Sequence, residues 1–343
     1  MRTKQSKMLA VVLLLILSSA LMTGCGVNYV LNATNQLDRD DASEFNIEKT
    51  EVEPITDINI HTGIAEVELV EADKFYVEID YLYWEEEPEY SLENGTLIFD
   101  DSDCFPTSYS INFNLDNHIK VYLPKNSQMS SINIKDSSGD VNIQGFIAEE
   151  LDVTVSYGDF TMKEAAALDA EIVLSSGTSK ITDFQAKELD FTNSYGNADF
   201  TNINTTDLRL SEDTTYDKFN VTMSSGDVTI RGLVSNTIDI SDSYGNITMD
   251  GLTSDELELN LSSGNCEITN GDIISSDISN SYGDVTLAML GSSADYALDL
   301  DTSYGKIRVD GDRFEEHLTT NEGAARRIMT ELSSGDVTVE FTK

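Results

Sequence analysis

A tripeptide of the form Ser-Ser-Gly or Ser-Tyr-Gly recurs ten times between Ser137 and Gly335, with glycines at 139, 158, 177, 196, 226, 245, 264, 283, 305 and 335. Six of the nine intervals are nineteen residues. A fixed period of this size marks one structural unit stacked on copies of itself. Aligned on the glycines, the chain is apolar seven and five residues before (Ile132 and Ile134, Ile238 and Ile240) and two and four residues after (Val141 and Ile143, Val228 and Ile230). Polar residues, often threonine, lie between. Each unit therefore reads as two short strands with one buried face, joined at a glycine turn. Nineteen residues cannot enclose a core alone, whereas stacked coils pair every strand with its neighbours and run the apolar rows into ladders. The expected fold is all-β, a parallel β-solenoid of about 19-residue coils rising about 4.8 Å per coil. A propeller with two units per blade is the structural rival.

The residue before the glycine alternates through Ser138, Tyr157, Ser176, Tyr195, Ser225, Tyr244, Ser263 and Tyr282, and the alternation fails at Tyr304. Parity survives the thirty-residue interval from Gly196 to Gly226, so that interval reads as one coil with an insertion around Leu210 to Lys218. The irregular last intervals predict a modified C-terminal cap. Two positions upstream, Ser-Ser-Gly coils mostly carry an apolar residue (Leu174, Met223, Leu261, Leu332), and Ser-Tyr-Gly coils mostly a polar one (Asn193, Asp242, Asn280, Thr302). Residues two apart on a strand share a face, so the ring and the aliphatic side chain read as alternative fillings of one interior space. A tyrosine stripe for sugar or peptide is the competing reading.

The residue after the glycine is usually Asp or Asn, as in Asp140, Asp159, Asn197, Asp227 and Asn246. A stacked carboxylate row could hold Ca²⁺, but Asp and Asn are also the residues that turns select, because their side chains bond nearby backbone. Turn chemistry is the expectation, with no metal and no cofactor. The three histidines, His61, His118 and His317, are isolated, and no nucleophile elbow or phosphate-cradling loop is present. Carboxylate pairs are inevitable among 62 acidic residues and say nothing about a glycosidase site. No catalytic residue is predicted. The weak ligand-binding candidates are Tyr83, Trp84 and Tyr90, in an irregular segment that holds the only tryptophan beside an acidic run.

The N-terminus carries Arg2, Lys4 and Lys7, then an apolar run from Met8 to Leu17, then small residues to Gly24, the pattern of a secretory leader. The run Leu21-Met22-Thr23-Gly24-Cys25 resembles the lipobox of bacterial lipoproteins, which implies lipidation of Cys25. Residues 1–24 are thus predicted as signal peptide, 25–49 as lipidated cysteine and acidic tether, 50–130 as diverged β coils, and 131–343 as regular repeats with a cap. A net charge of −41 argues against nucleic acid and permits cationic partners. Cys104 and Cys266 remain after lipidation, and their pairing is left open.

The Ser-Ser-Gly-Asp-Val and Ser-Tyr-Gly-Asp-Val units, preceded by Glu93-Asn94-Gly95-Thr96-Leu97 and Val121-Tyr122-Leu123-Pro124-Lys125, resemble a bacterial β-strand-repeat family of adhesin-like proteins, domain of unknown function 4097. The resemblance runs from about residue 50 to 343. It implies a β-solenoid outside the cytoplasmic membrane, most often in Gram-positive bacteria, and brings no catalytic residues. The expected function is a non-enzymatic, lipid-anchored cell-surface protein, held to the membrane by its lipid and touching an envelope polymer, a surface protein or a cationic peptide. An envelope-stress sensor that binds cationic peptides or ions, and a β-helix carbohydrate-active enzyme, are the alternatives.

Overall fold

The computed structural model describes residues 36–107, 109–111, 115–206 and 217–342. The leader, Cys25 and most of the insertion after residue 206 lie outside them. Within the described residues there are strands and two short 3-10 turns, and no α-helix. Phe314 to Ile328 is strand, turn and irregular chain.

The repeats stack in parallel. Phe160–Ser176 pairs with Ser179–Tyr195, which pairs in turn with Ala198–Asn204 and Lys218–Met223. Unit-to-unit pairing of this kind builds a solenoid-like stack and excludes blades. The coil that follows Gly158 shows how its sides form. Phe160 and Met162 point inward, then Ala165 and Ala167, then Ala170, Ile172 and Leu174. The phase of the inward residues slips twice, so the coil has three short sides instead of the two strands expected from the sequence. One slip falls at Glu164, whose φ is 49°. Gly145, Asp183, Asn202, Gly232, Gly251 and Asn270 hold the same left-handed corner in their own coils. Mostly Gly, Asn and Asp occupy this corner because they tolerate positive φ at least cost.

Inward rows become ladders along the stack. Ile134 sits beside Val153, Val153 beside Ile172, and Ile172 beside Phe191. All four are essentially inaccessible to water, and each such side chain contributes about 1.5–3 kcal/mol of burial. Around the insertion the ladder widens to take Phe191, Phe200 and Phe219, edge to face at 5.1 Å between successive ring centres.

Both ends depart from the repeat. At the N-terminal end Asp57–Thr62 and Glu66–Ala72 stack in parallel on the first regular coil, and Tyr76–Tyr83 runs antiparallel to His118–Pro124. Ser43–Glu51 adds antiparallel to Tyr76–Tyr83. The folded part therefore begins inside the segment expected to be tether up to residue 49. The reason is local: Phe45 and Ile47 pack against the core, and the Lys49 ammonium lies over the rings of Tyr76 and Tyr122.

At the other end the chain folds back into its own stack. Arg326–Ser334 lies between Cys266–Tyr282 on one side and Tyr296–Thr302 on the other. Val337–Thr342 likewise lies between Val285–Leu290 and Ile307–Val309. The later segment is thus intercalated ahead of an earlier one. Antiparallel Asp312–Phe314 and His317–Thr320 then cover the free edge.

Candidate functional site

The turn row is held by backbone first. The Gly158 N–H donates to Ser176 O, the Gly177 N–H to Tyr195 O, and so along the row. A Cβ on Gly264 would collide with the Gly245 carbonyl oxygen, and its φ is 139°, so only glycine lets successive turns approach this closely. The Asp and Asn row after the glycines has a definite task. Asp140 Oδ1 accepts from the Asp159 N–H at 2.8 Å, Asp159 Oδ1 from the Thr178 N–H at 2.7 Å, and Asp227 Oδ1 from the Asn246 N–H at 2.8 Å. The row continues through Asn265, Asp284 and Asp336 to the Lys306 N–H. Each side chain satisfies a backbone donor of the next coil, where the sequence reading expected a bond to nearby backbone of the same turn. Among the described residues no three His, Cys, Asp or Glu side chains converge as metal ligands.

The polar residues three before the glycine act on the same turn. Asn193 Nδ2 donates to Gly177 O at 2.9 Å while its Oδ1 accepts from the Tyr195 N–H. Asn280 repeats this on Gly264 O and the Tyr282 N–H, and Thr302 Oγ1 donates to Gly335 O at 2.8 Å. Asp136 and Asp242 stand at equivalent positions, each accepting the N–H two residues on. Their Oδ2 atoms are buried without a partner. Burial pushes the Asp136 carboxyl up to about 7 and that of Asp242 to about 6, against the pull of the N–H each accepts.

The tyrosines face water. Tyr157, Tyr195, Tyr244, Tyr282 and Tyr304 are 69%, 54%, 68%, 66% and 80% exposed. This corrects the reading in which ring and aliphatic residue share one interior space. The strand ends at the glycine, and the corner carries the preceding residue out of the inward phase, so Tyr195 leaves the core that Asn193 stays in. At Asn193, Asn280 and Thr302 the polar residue bonds the neighbouring turn, while buried Val155 stands two before Tyr157 and Asp136 two before Ser138, so the ring does not depend on the residue upstream. The alternation is also complete in space: Ser334 sits between Tyr282 and Tyr304 because the C-terminal strand is intercalated there. Rings therefore recur on every second coil, about 9.6 Å apart. Beside them runs an open groove of ≈ 540 Å³ across five coils, lined by Ser224, Ser243, Ser262, Ser281 and Ser333.

The aromatic candidates near the N-terminus are placed otherwise. Tyr83 and Tyr90 are half-buried and pack on the core, with Tyr90 against Phe45 at 6.0 Å. Trp84 donates Nε1–H to Asp38 O at 2.9 Å and lies 5.6 Å from the Phe105 ring. The structure thus does not bring these three to the tyrosine row. Under them, Asp101 is buried and accepts from the Gly63 N–H at 2.7 Å, Thr62 Oγ1 at 2.9 Å and the Tyr81 hydroxyl. Cys104 and Cys266 are free and buried, and burial first pushes both thiols up to about 12.

The family model described as Toastrack DUF4097 matches residues 55–214 and 204–343. No curated protein matches the chain. Among solved structures, it is similar to a "putative cell adhesion protein" from Clostridium sporogenes, at 12% identity over 88% of this chain and 100% of that chain, with a TM-score of 0.19. A "putative lipid binding protein" from Parabacteroides distasonis shares 15% identity over 90% and 100%, with a TM-score of 0.30. A "putative adhesin" from Bacteroides fragilis shares 12% over 90% and 99%, also at 0.30. At these values the described roles stay with those proteins. No helix among the described residues is long and apolar enough to cross a membrane.

Proposed function

The chain belongs to the Toastrack DUF4097 family, and from that premise we propose that it is a non-enzymatic, lipid-anchored protein of the extracytoplasmic face of a bacterial membrane. Its β stack serves as a scaffold that carries a contact edge. The observation that supports this reading is the row of five exposed tyrosines. A fold that can bury rings, as it does at Phe191 and Phe200, instead repeats solvent-facing tyrosines along one edge. Exposed aromatic residues in series favour contact with a partner over solvation. The two perturbed carboxyls, Asp136 and Asp242, are buried in the turns, each with one oxygen held by a backbone N–H, and Asp242 borders the groove beside the row.

Anchoring rests on Cys25 and the leader before it. A Cys25→Ser variant should leave the membrane fraction for the medium. Continued membrane association of that variant would overturn the anchoring, and loss of envelope contact without loss of anchoring would be expected when Tyr157, Tyr195, Tyr244 and Tyr282 are all replaced by serine. A second reading, capture of cationic peptides, is favoured by the net charge of −41. Binding through that field should fall steeply with ionic strength.

A further inference from the structure

The edge has a period, and the period selects a ligand. Tyrosine rings stand about 9.6 Å apart along the axis, with a serine turn between each pair. An extended peptide strand returns a side chain to the same face about every 6.8 Å, which slips out of step with the rings after one repeat. A polyproline II helix returns every three residues, about 9.3 Å, and keeps step. An extended β-1,4-linked glycan also keeps step, since its disaccharide is close to this length and presents a flat, weakly polar sugar face at every repeat.

Hydrogen-bonding chemistry separates the last two. The five groove serines can donate or accept. Two residues on from the rings stand Asn197, Asn246 and Lys306 at three of the five turns and the exposed Asp159 and Asp284 at the other two, each of these two with one carboxylate oxygen engaged on backbone. Their second oxygens can only accept. A proline-rich backbone offers carbonyl acceptors and few donors, so it meets these oxygens badly. A sugar chain offers hydroxyl donors at every residue. The overall charge of −41 repels glycans that carry carboxylate or phosphate.

We infer that the tyrosine edge and the serine groove beside it form a binding track for an uncharged β-1,4-linked glycan, laid parallel to the stack with one disaccharide per tyrosine. This rests on the reading of the edge as a contact surface and names its ligand. Rings at Tyr244 and Tyr282 take the same-facing sugars of successive disaccharides, and the hydroxyls of Ser243, Ser262 and Ser281 bond the sugar edges between them. The alternation is what makes the track selective: a ring on every coil would repeat about every 4.8 Å, too close for successive disaccharides.

The test is isothermal titration of the whole protein, held in a detergent without sugar headgroups, with chitohexaose, cellohexaose, maltohexaose and decaproline. Chitohexaose or cellohexaose should bind, with little change between low and high salt, and maltohexaose, whose α-linked chain curves, should not. Tyr244→Ser with Tyr282→Ser should weaken binding by about tenfold or more. The serine variants keep a turn that the fold already uses on alternate coils, so their thermal midpoint should not move. Absence of oligosaccharide binding, tighter binding of decaproline, or full affinity in the double variant each overturns the inference. Failure here with envelope contact still lost in the tyrosine variants would sink the glycan and spare the contact edge.

Discussion

Replacing Asp136 by asparagine should stabilise the protein at pH 8 more than at pH 5. In the coils of Asn193 and Asn280 the equivalent side chain donates to the carbonyl of the neighbouring turn. At Asp136 the corresponding oxygen, Oδ2, is buried without a partner, and the Ala65 carbonyl oxygen flanks the same Gly139 position. Two acceptors therefore face each other unless the carboxyl carries a proton. The Asp101 and Asp140 charges add to the effect of burial, and the Ser138 N–H opposes it. The carboxyl titrates at about 7 in the folded protein against 3.8 for the free side chain. A raised acid pKa means that the folded state holds the proton more tightly, so stability is full below the unfolded value and is lost as pH rises through the folded one. The accumulated penalty is roughly 2 kcal/mol at pH 5 and roughly 4 kcal/mol at pH 8, at 1.36 kcal/mol per pKa unit. Asparagine supplies the donor at every pH and removes the penalty. Urea unfolding of both proteins at pH 5 and pH 8, clear of the isoelectric region near 4.1, reads the difference. A stability gain that is the same at both pH values, or larger at pH 5, would show that Asp136 does not carry a proton in the fold.

Gly264→Ala should cost more than about 3 kcal/mol, because the new methyl meets the Gly245 carbonyl, whereas Gly311→Ala, with nothing within 4 Å of the added atom, should cost only about 1 kcal/mol of backbone strain; thermal melting compares them. Cys104 and Cys266 should resist alkylation in the native protein and react on unfolding, since both are buried with thiols pushed up to about 12; mass spectrometry with iodoacetamide reads this. Tyr81→Phe should lower stability by roughly 1–3 kcal/mol, because it deprives buried Asp101 of a hydroxyl donor, measured by urea unfolding.

The period and the inward rows were legible because they follow from two simple periodicities, the coil repeat and the strand alternation. Asp and Asn after the glycines were legible as turn residues, although their reach to the next coil's N–H is a property of stacking. The left-handed corner at Gly145, Asp183, Asn202 and Asn270 had a signal in its Gly, Asp and Asn content, but Glu164 interrupts it. The tyrosines were misread for a physical reason: the rule that residues two apart share a face holds within a strand and lapses at a corner. Tyr304 broke the alternation in sequence because sequence order and stacking order part company at the last coils. No local pattern marks where a later strand will slide between two earlier ones.

That reordering has a consequence for how the protein is made. Residues 296–309 reach their final neighbours only when residues 326–342 are available to stand between. A ribosome or export channel delivers the first group before the second. Until then the Ser275–Tyr282 part of the strand offers a bare edge, open to the wrong partner, including the corresponding edge of another copy. A chain interrupted after residue 309 carries every tyrosine of the row yet lacks the strand that seats the last of them. Completed molecules and truncated ones should therefore differ in their tendency to associate, and the cell's surveillance of unpaired strands would have a specific edge to detect.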